Sequence, residues 1–175
     1  YHRGGLMEWK RIEEVFSEFE RENQLILNAA GEGIYGVNTE GVTTFVNPAG
    51  EKMLGYAAAE LVGRNAHECI HHSHEDGSCY QMQGCPIYAA FHDGIVHQVG
   101  DEVFWRKDGS SFPVEYTSTP IEDQGRVVGA VVIFRDVSER READRRLRAA
   151  LSEVESLKRR LELENAYLQE EIRSE

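Results

Sequence analysis

Cysteine is scarce and odd in number, 3 in 175 residues. Three thiols build no disulfide framework, and free thiols fit a reducing compartment. Long hydrophobic runs are missing too. The most apolar stretch, residues 127–134, is strand-sized and far short of the roughly 20 residues a membrane helix needs. The start, Tyr1–Gly5, is polar and has no signal-peptide character. We therefore expect a cytoplasmic chain without membrane contact. A basic surplus is lacking as well: 19 Lys and Arg face 31 Asp and Glu, for a net charge of −12. Such a surface repels phosphate backbones, which argues against direct nucleic-acid binding. No Gly-x-x-x-x-Gly-Lys-[Ser/Thr] run is present, so no ATP hydrolysis of that kind is expected.

What is present suits one domain of ordinary size plus an extension. Residues 137–175 hold 9 basic and 10 acidic residues, which leaves residues 1–136 with a net charge of −11. The front is an acidic body and the back a balanced, charge-dense segment. Apolar residues Ile12, Val15, Phe16, Phe19, Leu25 and Ile26 fall near helical spacing in residues 7–29. Strand signals follow at Ile34–Val37 and Val42–Val46, separated by the turn Asn38–Gly41. Short helices are expected at Ala49–Leu54, Ala57–Val62, Asn65–His74 and Cys85–Phe91. Val96–Arg106 and Phe112–Pro120 flank the hairpin signal Lys107–Ser110. Ile121–Gly125 reads as a second hairpin turn before the strand Val127–Phe134. The expected architecture is α+β: a five-stranded antiparallel sheet with short helices on one face.

The back end reads as one long helix. Leu147, Val154, Leu161 and Leu168 recur every seven residues. With that stripe as d, Leu151, Lys158, Asn165 and Ile172 occupy a. This is the seam of a coiled coil, and a buried Asn at a favours a defined dimer. A homodimer is expected, with Val15, Phe16 and Phe19 able to extend its interface. Leu157 and Leu163 lie off the seam, and the competing reading is an amphipathic helix packed on its own body.

Several pieces in order carry a resemblance: Gly33–Gly41 (GIYGVNTEG), Phe45–Ala49 (FVNPA), Met53–Tyr56 (MLGY), Glu60–Gly63 (ELVG), Phe104–Gly109 (FWRKDG) and Gly129–Glu139 (GAVVIFRDVSE). Together they resemble a PAS domain over residues 24–139. The resemblance implies a sensor module rather than an enzyme, with a pocket between the sheet and the short helices. It divides the chain into an N-terminal helix (1–23), a PAS domain (24–137) and a coiled-coil signalling helix (138–175). Arg135–Glu139 resembles the family's exit motif, with Val137 and Ser138 in place of Ile and Thr. By that likeness Asp136 anchors the sheet to the outgoing helix through Arg106 or Lys107. An N-cap role for Asp136 or Ser138 is the plainer alternative. Leu163–Ile172 resembles the connector before the AAA+ domain of sigma-54-dependent transcriptional activators of the formate-hydrogenlyase-activator type. This implies such an effector downstream, with a histidine kinase as the alternative.

Residues 67–85 stand apart. His67, Cys69, His71, His72, His74, Cys79 and Cys85 crowd into this stretch. On a helix over Asn65–His74, His67, His71 and His74 share one face. Imidazoles so placed can clamp a transition metal, with thiolate from Cys79 or Cys85. The spacing matches no standard zinc motif. Other readings are polar packing, a redox thiol pair, and an enzyme-like metal site. A haem alternative points to His92 or His97 as axial ligand. An Asn-Cys-Arg flavin motif is missing, so flavin photochemistry is not expected. Strand alternation offers Tyr35, Phe45, Phe104, Tyr116 and Ile133 as pocket residues, or equally their neighbours, and such residues are more often core. The function expected is sensing: ligand, metal or redox state passed through the coil to an effector.

Overall fold

The computed structural model describes residues 17–18 and 21–174. The apolar positions Ile12, Val15, Phe16 and Phe19 of the expected N-terminal helix lie outside the described residues. Residues 21–29 form helix α1, where Leu25 and Ile26 are exposed. The chain divides into two compact units, one ending at Asp136 and one starting at Val137.

The first unit holds the sheet. Its strands are β1 (Gly33–Asn38), β2 (Thr43–Val46), β3 (His97–Trp105), β4 (Ser111–Asp123) and β5 (Arg126–Asp136). All neighbours are antiparallel, in the order β2-β1-β5-β4-β3. Between β2 and β3 run α2 (Pro48–Leu54), α3 (Ala58–Leu61), α4 (Ala66–Ile70), a 3-10 turn (Met82–Gly84) and α5 (Pro86–Asp93). Alternation along the strands sends Tyr35, Val37, Val114, Tyr116, Val132 and Phe134 into the core, where they meet Leu54, Leu61, Ile70, Ile87 and Phe91. Gly129 is dictated by proximity: a Cβ there would lie 2.1 Å from the carbonyl oxygen of Val37.

Asn47 pins the body's front edge. Its side-chain oxygen accepts from the N–H groups of Ile34 (2.7 Å) and Gly50 (2.9 Å), and its amide donates to the carbonyls of Glu32 (2.9 Å) and Leu27 (3.1 Å). One buried side chain thus caps α2 and joins it to β1 and α1. Pro48 follows at the first helical position, where its missing N–H costs nothing.

Three expectations need correction. The helix expected over Asn65–His74 stops at Ile70, and His71 leaves it with φ −135°. The second hairpin turn is tighter than Ile121–Gly125: Ile121 still pairs with Gly129, and the reversal is made by Gln124 and Gly125, both at positive φ. That pair alone supplies the left-handed conformations a two-residue hairpin needs. Phe45 and Ile133 face away from the core. Ile133 lies between the inward Val132 and Phe134, and Phe45 covers Gly36 on the outer face.

The second unit is α6 (Ser138–Ser174), a single 37-residue helix with no buried residue. Leu147, Leu151, Val154, Leu161, Leu168 and Ile172 are all exposed along it. Pairs such as Arg146–Glu142 (3.0 Å) and Lys158–Glu162 (3.9 Å) lie on its surface and add a few tenths of a kcal/mol each.

Asn47→Ala removes four hydrogen bonds and leaves the buried Gly50 N–H and the part-buried Ile34 N–H without their acceptor. It should lower stability by about 3 kcal/mol in denaturant unfolding.

Candidate functional site

The site is assembled where four short segments meet over the sheet. Asn65 caps α4 by accepting from the Glu68 N–H (3.2 Å), which sets His67 on the first turn and His71 at the helix end. The chain then doubles back. His74 N–H bonds the Ser78 carbonyl (2.9 Å), Gly77 turns at φ 81°, and Tyr80 N–H returns to the His72 carbonyl (2.9 Å). This loop lays the Tyr80 ring 4.7 Å from that of His71. Cys85 is the N-cap residue of α5.

Glu102 comes from β3. Val99 pairs with Tyr116 and Glu102 with Val114, so β3 has one extra residue between them. This bulge lets Val99 and Glu102 share a face despite their odd separation.

At the centre His71, 1% exposed, bridges two acids. Its Nε2 lies 2.7 Å from Glu102 Oε2 and its Nδ1 3.2 Å from Cys85 Sγ. Glu102 also accepts from the hydroxyls of Tyr80 (to Oε1, 2.7 Å) and Tyr116 (to Oε2, 2.7 Å). His67 Nε2 is 2.8 Å from the Tyr80 carbonyl, whereas its Nδ1 is buried with no hydrogen-bond partner. The Tyr35 hydroxyl is likewise buried and unpartnered.

The charges follow from this wiring. Burial works against each ionised form, but hydrogen bonds outweigh it. Those from His71, Tyr80 and Tyr116 bring the Glu102 carboxyl down to about 2. The bonds of His71 to Cys85 and Glu102 raise the imidazole to about 9. The hydrogen bond and charge of His71, with the His67 ring close by, bring the Cys85 thiol down to about 6. All three shifts favour the ionised forms of groups that lie in a row. Burial, with Glu102 beside them, pushes Tyr80 and Tyr116 well above the ordinary phenol range.

Ligand atoms of His67, His71 and Cys85 lie within 4.8 Å of one another. His74 and Cys79 are not in this group. The His74 ring is tilted against that of Tyr80, 4.2 Å between centroids, beyond the end of α4, and Cys79 is exposed. The cavity beside the cluster is lined by Tyr35, His67, His71, Cys85 and Phe91, among others, and measures about 20 Å³. That is room for one water-sized body. Phe104 and Tyr116 are not in its lining: Phe104 is sealed in the core, and the Tyr116 hydroxyl is held by Glu102. His92 is exposed against Tyr88, and His97 bonds Asp93 (2.8 Å). Neither His92 nor His97 lines this cavity.

Arg106 and Asp136 meet at 2.9 Å. Arg106 also donates to the Met53 carbonyl (3.0 Å) and lies over the Phe112 ring, 4.4 Å from its centroid. Lys107 instead pairs with Glu60. Ser138 opens α6.

Glu102 is depressed from 4.5 in the folded state, so its contribution is complete above pH 4.5 and is lost as pH falls toward 2. The stability difference between wild type and Glu102→Gln should be largest above pH 4.5 and shrink toward pH 2, as read by urea unfolding across that range.

A family model described as PAS domain matches residues 31–139. The signal transduction histidine-protein kinase AtoS of Escherichia coli (strain K12) is 29% identical over 129 residues, 73% of this chain and 20% of that protein. The probable diguanylate cyclase DgcE of the same organism is 27% identical over 144 residues, 81% of this chain and 13% of that protein. The chain thus spans a fifth or less of these relatives. The crystal structure of a PAS domain from Colwellia psychrerythraea superposes with a TM-score of 0.57 at 19% identity, covering 69% of this chain and 98% of that one. No helix among the described residues is long and apolar enough to cross a membrane. With the matched sequence, the five-stranded sheet and the helices between its second and third strands in agreement, the chain belongs to the PAS domain family.

Proposed function

We propose that this chain is a dimeric, cytoplasmic sensor module that takes its input at the Cys85–His71–Glu102 cluster and delivers it through α6 to an effector. The observation that carries this reading is the position of Arg106. One guanidinium joins α2, the β3–β4 hairpin and Asp136, the last residue of β5. Strands β3 and β4 also carry Glu102 and Tyr116 of the cluster. A change in the cluster therefore has a short covalent and hydrogen-bonded route to the residue that precedes α6. The mechanism is a shift between two packings of the cluster.

A second reading, catalysis by Cys85 with His71 as base, has the sulfur–imidazole–carboxylate order of a nucleophile triad. The sensor reading is favoured because Cys85 is buried beside a cavity that holds no more than a water-sized body. The relatives' names, a histidine kinase and a diguanylate cyclase, support effectors of those two classes. A sigma-54-dependent activator is supported by the resemblance of Leu163–Ile172 alone.

The partner of α6 is a second copy. Its apolar residues repeat at seven, not along a straight 3.6-residue line, and that repeat is satisfied by supercoiling with another helix. Lys158 and Asn165 at a positions select a defined register.

Two outcomes check the reading. Asp136→Ala should change stability by about 1 kcal/mol or less, since the ion pair is part-exposed, yet abolish signal-dependent output of the full-length protein in a reporter assay. Unchanged output would remove Asp136 from the route. Leu161→Asp with Leu168→Asp should convert the dimer to a monomer in sedimentation velocity while leaving the spectrum of the body intact.

A further inference from the structure

The geometry points to a metal site: we propose that His67, His71 and Cys85 bind one zinc-class divalent ion, through Nδ1 of both histidines and the Cys85 sulfur. This deepens the sensor reading and rests on it only for the ion's meaning as an input.

Three observations converge. The first is tautomer selection. A backbone carbonyl only accepts, so the contact between His67 Nε2 and the Tyr80 carbonyl (2.8 Å) puts the proton on Nε2. The Nδ1 lone pair is then free, and that atom is buried, with no hydrogen-bond partner within bonding distance and the Cys85 sulfur near it. At His71, Glu102 accepts from Nε2 (2.7 Å) and Nδ1 faces Cys85 Sγ (3.2 Å), so the ion displaces to solvent the proton that lies between nitrogen and sulfur. Imidazole ligands are commonly oriented in this way, by a carboxylate or a carbonyl on the far nitrogen.

The second observation is spacing. Zinc bonds of about 2.0–2.3 Å place neighbouring ligand atoms roughly 3.5 Å apart. One ring nitrogen from each histidine and the Cys85 sulfur already lie within 4.8 Å of one another, and His71 Nδ1 is 3.2 Å from the sulfur. Only a small closure is needed.

Space is the third. The cavity these residues line has the volume of one water-sized body. Its wall also carries Tyr35, whose hydroxyl is buried without a partner. Three protein ligands with one open position describe an accessible zinc site rather than a closed structural one. On the far side of His71 a hollow of about 300 Å³ is lined by Glu75, Asp76, Asp101 and Glu102, and its negative charge favours cations near the cluster.

Cobalt serves as the probe, because its thiolate charge-transfer and d–d bands report ligand type and geometry. Chelator-treated full chain should take up one Co²⁺ per chain, show both bands in a four-coordinate pattern, and release Co²⁺ to one equivalent of Zn²⁺. Cys85→Ser should lose the charge-transfer band. Glu102→Gln should keep the band but weaken affinity about 10–100-fold, as expected for an orienting partner. His74→Ala and Cys79→Ser should bind like the wild type. Should Cys85→Ser fail to fold by circular dichroism, His67→Gln replaces it, with loss of the four-coordinate pattern expected. The proposal is overturned if folded wild type takes up no stoichiometric Co²⁺, if Cys85→Ser keeps the band, or if Cys79→Ser abolishes it. Stoichiometric metal with no effect on full-length output would sink the sensor reading and leave the ion site. No metal together with an Asp136→Ala effect would do the reverse.

Discussion

A single carboxylate organises the interior of this domain. Glu102 is drawn inward by one extra residue in β3 and receives three hydrogen bonds, from His71, Tyr80 and Tyr116. A carboxylate drawn part-way out of water loses hydration, which three donors to its two oxygens offset. The arrangement is reciprocal. Tyr80 is the residue to which the 71–80 loop returns, His71 is where α4 stops, and Tyr116 belongs to the next strand. Glu102 therefore fixes the loop path, the helix end and the imidazole orientation together. The Cys85 thiolate is one further step along the same chain of hydrogen bonds.

Asn47 and Arg106 play comparable parts elsewhere. Each is one polar side chain that ties together elements distant in sequence, α1, β1 and α2 for Asn47, and α2, the β3–β4 hairpin and the end of β5 for Arg106. Apolar burial between these pins gives the sheet and helices their stability, while the pins decide which packing is adopted. Directional bonds suit that role, because a one-residue slip breaks them outright, whereas apolar contacts tolerate it. The same property makes each pin a place where the packing can change discretely.

Much of the fold was legible because strand and turn chemistry is local. Asn47-Pro48, Gly55, Lys107–Ser110 and the apolar run of β5 each signal their own structure. The site was less so. The histidines and Cys85 were conspicuous, but helix periodicity wrongly extended α4 to His74, since the stop at Ile70 is made by the returning loop and not by a breaker beside it. Glu102 and Tyr80 were missed. Glu102 left a trace, two positions before inward Phe104 on the same strand, where an acid is out of place. Nothing local told Tyr80 apart from an ordinary surface aromatic. The facing of Phe45 and Ile133 was left open between them and their neighbours, because alternation gives parity without saying which parity faces the helices.

Length gives α6 a mechanical property of its own. At 1.5 Å per residue its 37 residues span roughly 55 Å, about twice the diameter of a small domain. A rod of that length converts a tilt of about 5° at its root into a displacement of about 5 Å at its tip, close to one helical pitch. That displacement is on the scale at which proteins distinguish one contact from the next. The gain of such a rod is set by how many residues it has.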